Sequence, residues 1–326
     1  MKFILTIDTE ADNQWKRGIE LSTHKLRFIP KLQKLCLQYK ICPTFLVTSE
    51  VCADDYAKDL LGGYREAHQA EIGAHLHIWT TPPFEDKDGF RYNDHNHGFA
   101  TELPESLLRK KVEHLTQQIE NTFGERPTSF RSGRFGFDET CAGILLDNGY
   151  VVDSSVTPYV DWSSQKGMPE GTGGPDFTDK GAQHYSISIG ERTLLEIPVT
   201  ILPTKFPFTV SDRMNRIYSS LGNTLIAKGA KKLSFGTQPV WLRPYRTTTL
   251  GTLKKVIDEA RKRNLEFVTM MFHSSELMPG CSPYRNSDRE VEALYVLLEE
   301  FFRLLHEYAI PSVTLSGAAQ SIQELR

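Results

Sequence analysis

The sequence predicts an α/β fold, an irregular (β/α) barrel of about seven parallel strands in one domain spanning 1–326, and three observations carry that expectation. Short apolar runs alternate with amphipathic helical stretches along the chain, an order that implies parallel pairing of the runs. A length of 326 residues fits an α/β barrel folded as a single unit. Several of the runs also end on Asp, His or Arg instead of the usual Gly, Asn or Ser. In barrels the carboxyl ends of the strands carry the reactive groups.

Strands are expected at Phe3–Ile7, Thr44–Val47, Glu71–Ala74, Ser129–Arg131, Val151–Asp153, Leu194–Val199, Phe267–Phe272 and Ser312–Leu315. Helices are clearest at Pro104–Asn121, Thr249–Lys262 and Ser287–His306. Pro104 suits a first helical turn and Gly124 follows the end. Ser287-Asp288-Arg289-Glu290 is a capping-box pattern. Two insertions, near 80–103 and 159–183, lack periodicity, and seven residues of the second are Gly or Pro. Loops of that length in a compact domain are functional or mobile.

Composition excludes several classes. At 39% hydrophobic residues there is material for a core, and a net charge of −3 argues against nucleic acid or an anionic membrane as partner. The first apolar run stops at Asp8, too early for a signal peptide, and no stretch approaches the roughly 20 residues of a membrane span. Five cysteines without paired metal-ligand spacing read as reduced thiols, so a cytoplasmic location is expected. Oligomeric state is not legible. Lys228, Lys231 and Lys232 form a small basic cluster, read as a solvated helix end.

The chemistry concentrates at the run ends. Side chains alternate along a strand, so Asp8 and Glu10 in Asp8-Thr9-Glu10 point the same way, as do His75 and His77 in Glu71-Ile72-Gly73-Ala74-His75-Leu76-His77. Acidic residues after a strand also serve as helix caps, and imidazoles as buried hydrogen-bonders. Together, two carboxylates and two imidazoles suit zinc or a similar divalent metal with an open position for water. Phe130-Arg131-Ser132-Gly133-Arg134-Phe135-Gly136 and Met270-Met271-Phe272-His273-Ser274 add further strand ends. Aromatic faces that suit a sugar are offered by Trp79, Phe84 and Trp162. Trp241 reads as core, and His95 and His97 as solvated or substrate-contacting loop residues. Glu196 has no firm role; it could bind substrate hydroxyls or hold Arg243.

In this order the motifs resemble the polysaccharide deacetylases with a NodB-homology domain, and within them the WalW-like branch. The matching segments are Asp8 and Glu10, Thr44-Phe45-Leu46-Val47, the Glu-Ile-Gly-x-His element ending at His75, Arg131, the Asp153–Trp162 segment, and His273. The resemblance departs in two places. Thr9 separates two acids that are adjacent in the commonest form, and position 79 is Trp79 where a second histidine would stand. His77 then supplies the missing ligand, or the metal is lost; Asp12 is the next candidate ligand.

What the resemblance implies is a carbohydrate deacetylase, a hydrolase of non-peptide carbon–nitrogen bonds. Glu10, His75 and His77 would hold a divalent metal, zinc being the ion their oxygen and nitrogen donors suit, that would acidify water and polarise the acetyl carbonyl. Asp8 would act as base, Arg131 would keep it ionised, and His273 would be the acid. Trp79, Arg134, Asp153 and Trp162 would contact an N-acetylated sugar or glycan precursor. Two other readings stay open: a metal-free hydrolase of a small cyclic amide or ureide, and a non-catalytic protein that binds a glycan precursor.

Overall fold

The structure, a computed structural model, describes residues 1–12, 14, 21–85, 97–168, 171–204 and 239–324. The basic cluster at Lys228–Lys232, His95 and much of the first insertion lie outside the described residues.

Strands β1 (Lys2–Thr9), β2 (Thr44–Val47), β3 (Glu71–Leu76), β4 (Ser129–Ser132), β5 (Val152–Asp153), β6 (Tyr185–Ile189), β7 (Arg192–Glu196) and β10 (Phe267–His273) form one curled sheet. Its order is β10-β1-β2-β3-β4-β5-β7-β6, parallel throughout except for β6, which pairs antiparallel with β7. Two more strands, β8 (Ile201–Pro203) and β9 (Pro239–Trp241), make a small antiparallel pair.

This corrects the barrel expected from the sequence: the ladder does not run full circle among the described residues. Instead the chain after β7 crosses toward β10, where Thr200 N–H donates to the Thr269 carbonyl at 3.1 Å and Thr269 N–H to Thr200 Oγ1 at 2.8 Å. The strand expected at Ser312–Leu315 is also corrected. Ser312 makes a single bridge to Phe3, and Thr314 then caps a helix by accepting from Gly317 N–H. A Thr that bonds its own downstream backbone favours a cap over a ladder.

Helices cover the outside of the curl, except the last, which closes its amino end. They are α1 (Ile29–Gln38), α2 (Ser49–Cys52), α3 (Asp55–Glu66), α4 (Glu105–Phe123), α5 (Glu139–Asp147), α6 (Leu250–Lys262), α7 (Asp288–Glu307) and α8 (Leu315–Gln323). Thr249 and Ser287 cap α6 and α7 through side-chain oxygens, and Gly124 ends α4 in the left-handed region at φ +75°. All five cysteines are free thiols, and Cys42 alone of them is less than fully buried.

Alternation along the strands sorts the core into two sides. Phe3, Leu5, Ile7, Phe45 and Val47 face the helices, whereas Ile4, Leu46, Val152, Leu195 and Phe267 face inward and meet Leu315, Ala318 and Ala319 of α8. So α8 plugs the amino end of the curl with an apolar layer. The inward side becomes polar toward the other end, through Thr6, Ser129 and Thr269 to Asp8, His75, Arg131 and His273. All of these are buried apart from His273, which is partly exposed.

The inside of the curl is narrow at Gly73 of β3. A Cβ there would stand 2.3 Å from Ser129 Oγ and 2.7 Å from Leu46 Cδ2. Gly73→Ala is therefore expected to destabilise the fold by about 1–3 kcal/mol. Urea unfolding would show a lowered midpoint at constant slope; an unchanged midpoint would contradict this packing.

Candidate active site

Neighbouring strands bring the expected residues to one rim. Asp8 is directly opposite His273 in the β1–β10 pairing, and His75 is opposite Arg131 in the β3–β4 pairing. Glu10 and His77 follow two residues beyond, on the same inward side. Gly133 lets the chain after β4 pass close to this rim, since a Cβ there would lie 2.7 Å from His77 Cδ2.

Arg131 is fully buried and reaches across the curl. Its Nη1 donates to Asp8 Oδ1 at 2.7 Å and to Thr6 Oγ1 at 2.8 Å, while Nε and Nη2 donate to the carbonyl and hydroxyl of Ser154 at 2.8 and 2.9 Å. Burial alone would raise the Asp8 pKa. The guanidinium, with His75 and His273 nearby, outweighs it and holds the carboxyl down at about 2.

Glu10, His75 and His77 are all buried, and one ligand atom from each lies within 4.8 Å of the other two. His75 Nδ1 donates to the Arg131 carbonyl at 3.0 Å, which leaves the Nε2 lone pair facing inward. That Nε2 is 3.0 Å from His77 Nε2, and His77 Nε2 is 3.4 Å from Glu10 Oε2. Donors bound at about 2.0–2.2 Å in a tetrahedral set sit roughly 3.4 Å apart, so the set fits a small divalent ion. Burial lowers the pKa of His75, and burial with His75 beside it lowers that of His77 well below the usual imidazole range. Both rings are thus kept neutral, the form that ligates. Burial raises Glu10, whose Oε1 has no hydrogen-bond partner among the described residues.

The turn after His77 is held from below by Lys111 of α4. Its buried ammonium donates to the carbonyls of Ile78 at 2.8 Å and Thr81 at 2.5 Å, and burial lowers its pKa to about 8.

His273 Nε2 lies 4.0 Å from Asp8 Oδ2. On its other side Nδ1 sits 2.9 Å from Arg243 Nη2 and 3.4 Å from Glu276 Oε1. A guanidinium only donates, so a neutral ring accepts at Nδ1 from Arg243, whereas an imidazolium donates there to Glu276. Either protonation state finds a partner.

These groups line a cavity of about 340 Å³ with a largely aromatic wall. Trp79 stacks on His77 at 4.2 Å and on His97 at 4.6 Å between ring centroids, and its indole N–H donates to Gln14. Trp162 stacks on Phe135 at 5.7 Å. Arg134 and Phe135 adopt left-handed φ values of +53° and +61°, an uncommon conformation for such side chains, and both line the cavity. Arg134 lies over the Phe99 ring and donates to the His97 carbonyl.

Some sequence expectations are displaced. Asp153 does not line the cavity. Val152 faces inward with Ile4 and Leu46, so alternation turns Asp153 to the other side, opposite Phe130 and Glu196 in the strand pairings. There it accepts from Ser155, burial raises its pKa, and burial with Asp153 beside it raises Glu196 well above the usual range. Arg243 is held by Glu276 at 2.9 Å, not by Glu196. Trp241, expected in the core, is partly exposed and lines the cavity. Phe84 lies over Lys111 instead. Asp12 is occupied by Ser22 and the backbone N–H groups of His24 and Lys25.

Sequence reasoning passed over Arg243 as a site residue in its own right, together with Tyr245, Glu276 and Tyr284. The guanidinium of Arg243 lies 4.7 Å from each of the two tyrosine rings. The alternation in Trp241-Leu242-Arg243 was a usable signal for Arg243, but nothing local marks the other three.

No family model and no curated protein matches the sequence. Among solved structures, a Mycobacterium smegmatis protein named provisionally as a polysaccharide deacetylase is 12% identical, over 99% of this chain and 91% of its own, at a TM-score of 0.56. Puue allantoinase is 13% identical, over 98% of this chain and 88% of its own, at a TM-score of 0.52. At such identities the likeness is one of fold.

Replacing Arg131 by Met leaves Asp8 buried without its counter-ion and is expected to cost about 3–5 kcal/mol of stability. Adding Asp8→Asn to that variant should recover at least roughly 1 kcal/mol, measured by urea unfolding as a double-mutant cycle. Strict additivity of the two changes would show that the pair is not coupled.

Proposed function

We propose that the protein is a hydrolase that removes an N-acetyl group from a sugar or glycan precursor, a relative of the NodB-type deacetylases in their WalW-like branch. The reading takes 1–326 as one catalytic domain acting in the cytoplasm. No helix among the described residues is long and apolar enough to cross a membrane. The observation that carries the reading is the buried Glu10–His75–His77 set beside an Asp8 that Arg131 keeps charged. The shared fold of a protein named as a polysaccharide deacetylase supports it.

A divalent ion, with zinc as the first choice, would be held by Glu10, His75 and His77 and would supply Lewis-acid polarisation of the acetyl carbonyl together with a more acidic water. Asp8 accepts the proton of the attacking water, and its low pKa keeps it ready to do so at neutral pH. Arg131 holds that carboxylate in place through two strands' worth of side-chain contacts. His273, as imidazolium with Nδ1 on Glu276, delivers its Nε2 proton to the departing amine and keeps its Nδ1 proton on Glu276. Trp79, Trp162 and Phe135 present faces against which a sugar ring can pack, and Arg134 lies beside them. Asp153 acts from behind, through the Ser154–Ser155 segment that holds Arg131 and Ser132.

A second reading has its own support. The two Nε2 atoms at 3.0 Å satisfy each other directly when one ring donates, and an allantoinase shares the fold. In that case the imidazoles bind a cyclic amide or ureide without an ion.

Metal analysis of protein purified without chelator is expected to give close to one divalent ion per chain, and His77→Ala or Glu10→Gln should lower that content. Acetate release from N-acetylated sugar nucleotides should fall at least about 10²-fold in Asp8→Asn while the metal is retained. A metal-free protein that hydrolyses ureides would replace this proposal with the second reading.

A further inference from the structure

Glu102 belongs to none of the groups used so far, yet it ties the two insertions together. Its Oε2 accepts from Phe99 N–H at 2.8 Å and Met168 N–H at 3.3 Å, and its Oε1 from Gly173 N–H at 3.2 Å and Gly167 N–H at 3.4 Å. One carboxylate thus collects four backbone donors from two loops far apart in sequence, and charged acceptors make the stronger hydrogen bonds.

Glycine is what permits the approach. A Cβ on Gly171 would stand 1.9 Å from Glu102 Oε1, and one on Gly167 would stand 2.4 Å from Gly98 Cα. At Gly174 it would press on the Phe99 ring at 2.6 Å and on Trp162 Cβ at the same distance. The closely packed pieces include residues that line the cavity: His97 and Phe99 from the first insertion, Trp162 and Gln165 from the second. None of the four comes from a strand end. The wall they form meets the rim that bears Asp8, Glu10 and the imidazoles through Trp79, which stacks on His97 and on His77.

We propose that Glu102 is a positioning residue that clasps the two insertions into one fixed wall, and that this wall sets how tightly the sugar is held without taking part in bond breaking. The kinetic side of the proposal rests on the deacetylase reading; the structural side does not.

Three variants test it. Glu102→Ala removes all four contacts. Glu102→Gln turns an NH₂ group toward two N–H donors whichever way the amide lies, and so loses two of the four. Gly171→Ala leaves Glu102 in place but drives a methyl into its carboxylate, which gives an independent route should Glu102→Ala fail to fold. In each, amide hydrogen exchange should quicken in 97–103 and 160–175 together, with metal content unchanged. For acetate release, KM should rise roughly 10- to 10²-fold while kcat changes far less. Exchange that quickens in one loop alone, or in neither, overturns the clasp. A fall in kcat at constant KM overturns the positioning role. If the wild-type protein releases no acetate, the deacetylase reading fails, and paired exchange of the two loops still decides for or against the wall.

Discussion

A single buried cation holds the centre of this molecule. Arg131 rises from β4, and its guanidinium reaches Asp8 and Thr6 on β1, although β2 and β3 lie between those strands in the sheet. An unpaired guanidinium in such a place would cost far more than the fold could bear, so its partners must be present together. They are: a carboxylate, two hydroxyls and a carbonyl, with Ser154 supplying both a carbonyl and a hydroxyl from the chain after β5. The curvature that brings β1 and β5 within reach of one side chain and the ionised state of Asp8 are therefore aspects of one interaction. A flatter sheet would pull the partners away from Arg131, and a protonated Asp8 would leave its charge short of compensation.

Much of the fold was legible because local signals and tertiary demands agree. The strand at Thr44–Val47 was placed to the residue, and the starts of α6 and α7 follow Thr249 and Ser287 as the cap chemistry requires. The failures occur where local signals are silent about partners. Val313 and Leu315 look like strand residues, but the segment makes a single bridge, Ser312 to Phe3, before Thr314 caps it into α8. Tyr185–Ile189 alternates apolar residues with serine, the period of a half-buried strand, yet it was passed over, and it pairs antiparallel with β7.

At the site, the period-two rule was the effective instrument. It paired Asp8 with Glu10 and His75 with His77 on one side each, and the register of β1, β3, β4 and β10 then set them facing one space. The same rule, applied one residue further, would have removed Asp153 from the cavity, since Val152 is needed in the apolar layer with Ile4 and Leu46. Glu102 and Glu276 could not be read in this way. Each acts through contacts made after the chain is folded: Glu102 with N–H groups some 65 to 71 residues away, and Glu276 with Arg243 at 33.

Charge balance favours a cation between Glu10 and the imidazoles. Asp8 has Arg131 at hydrogen-bonding distance, and Glu276 has Arg243. Glu10 has no such partner among the described residues; the buried ammonium of Lys25 lies near enough to favour its charge but donates to the Ala11 carbonyl. Burial raises the pKa of Glu10, so a positive charge beside it would favour the ionised carboxylate. A proton on Glu10 would serve a single contact, toward His77 Nε2 at 3.4 Å. A divalent ion would engage the carboxylate and both Nε2 lone pairs at once, in a place where low dielectric strengthens each contact. Two neutral rings turned toward a carboxylate without its own counter-ion is an arrangement that could hold a metal.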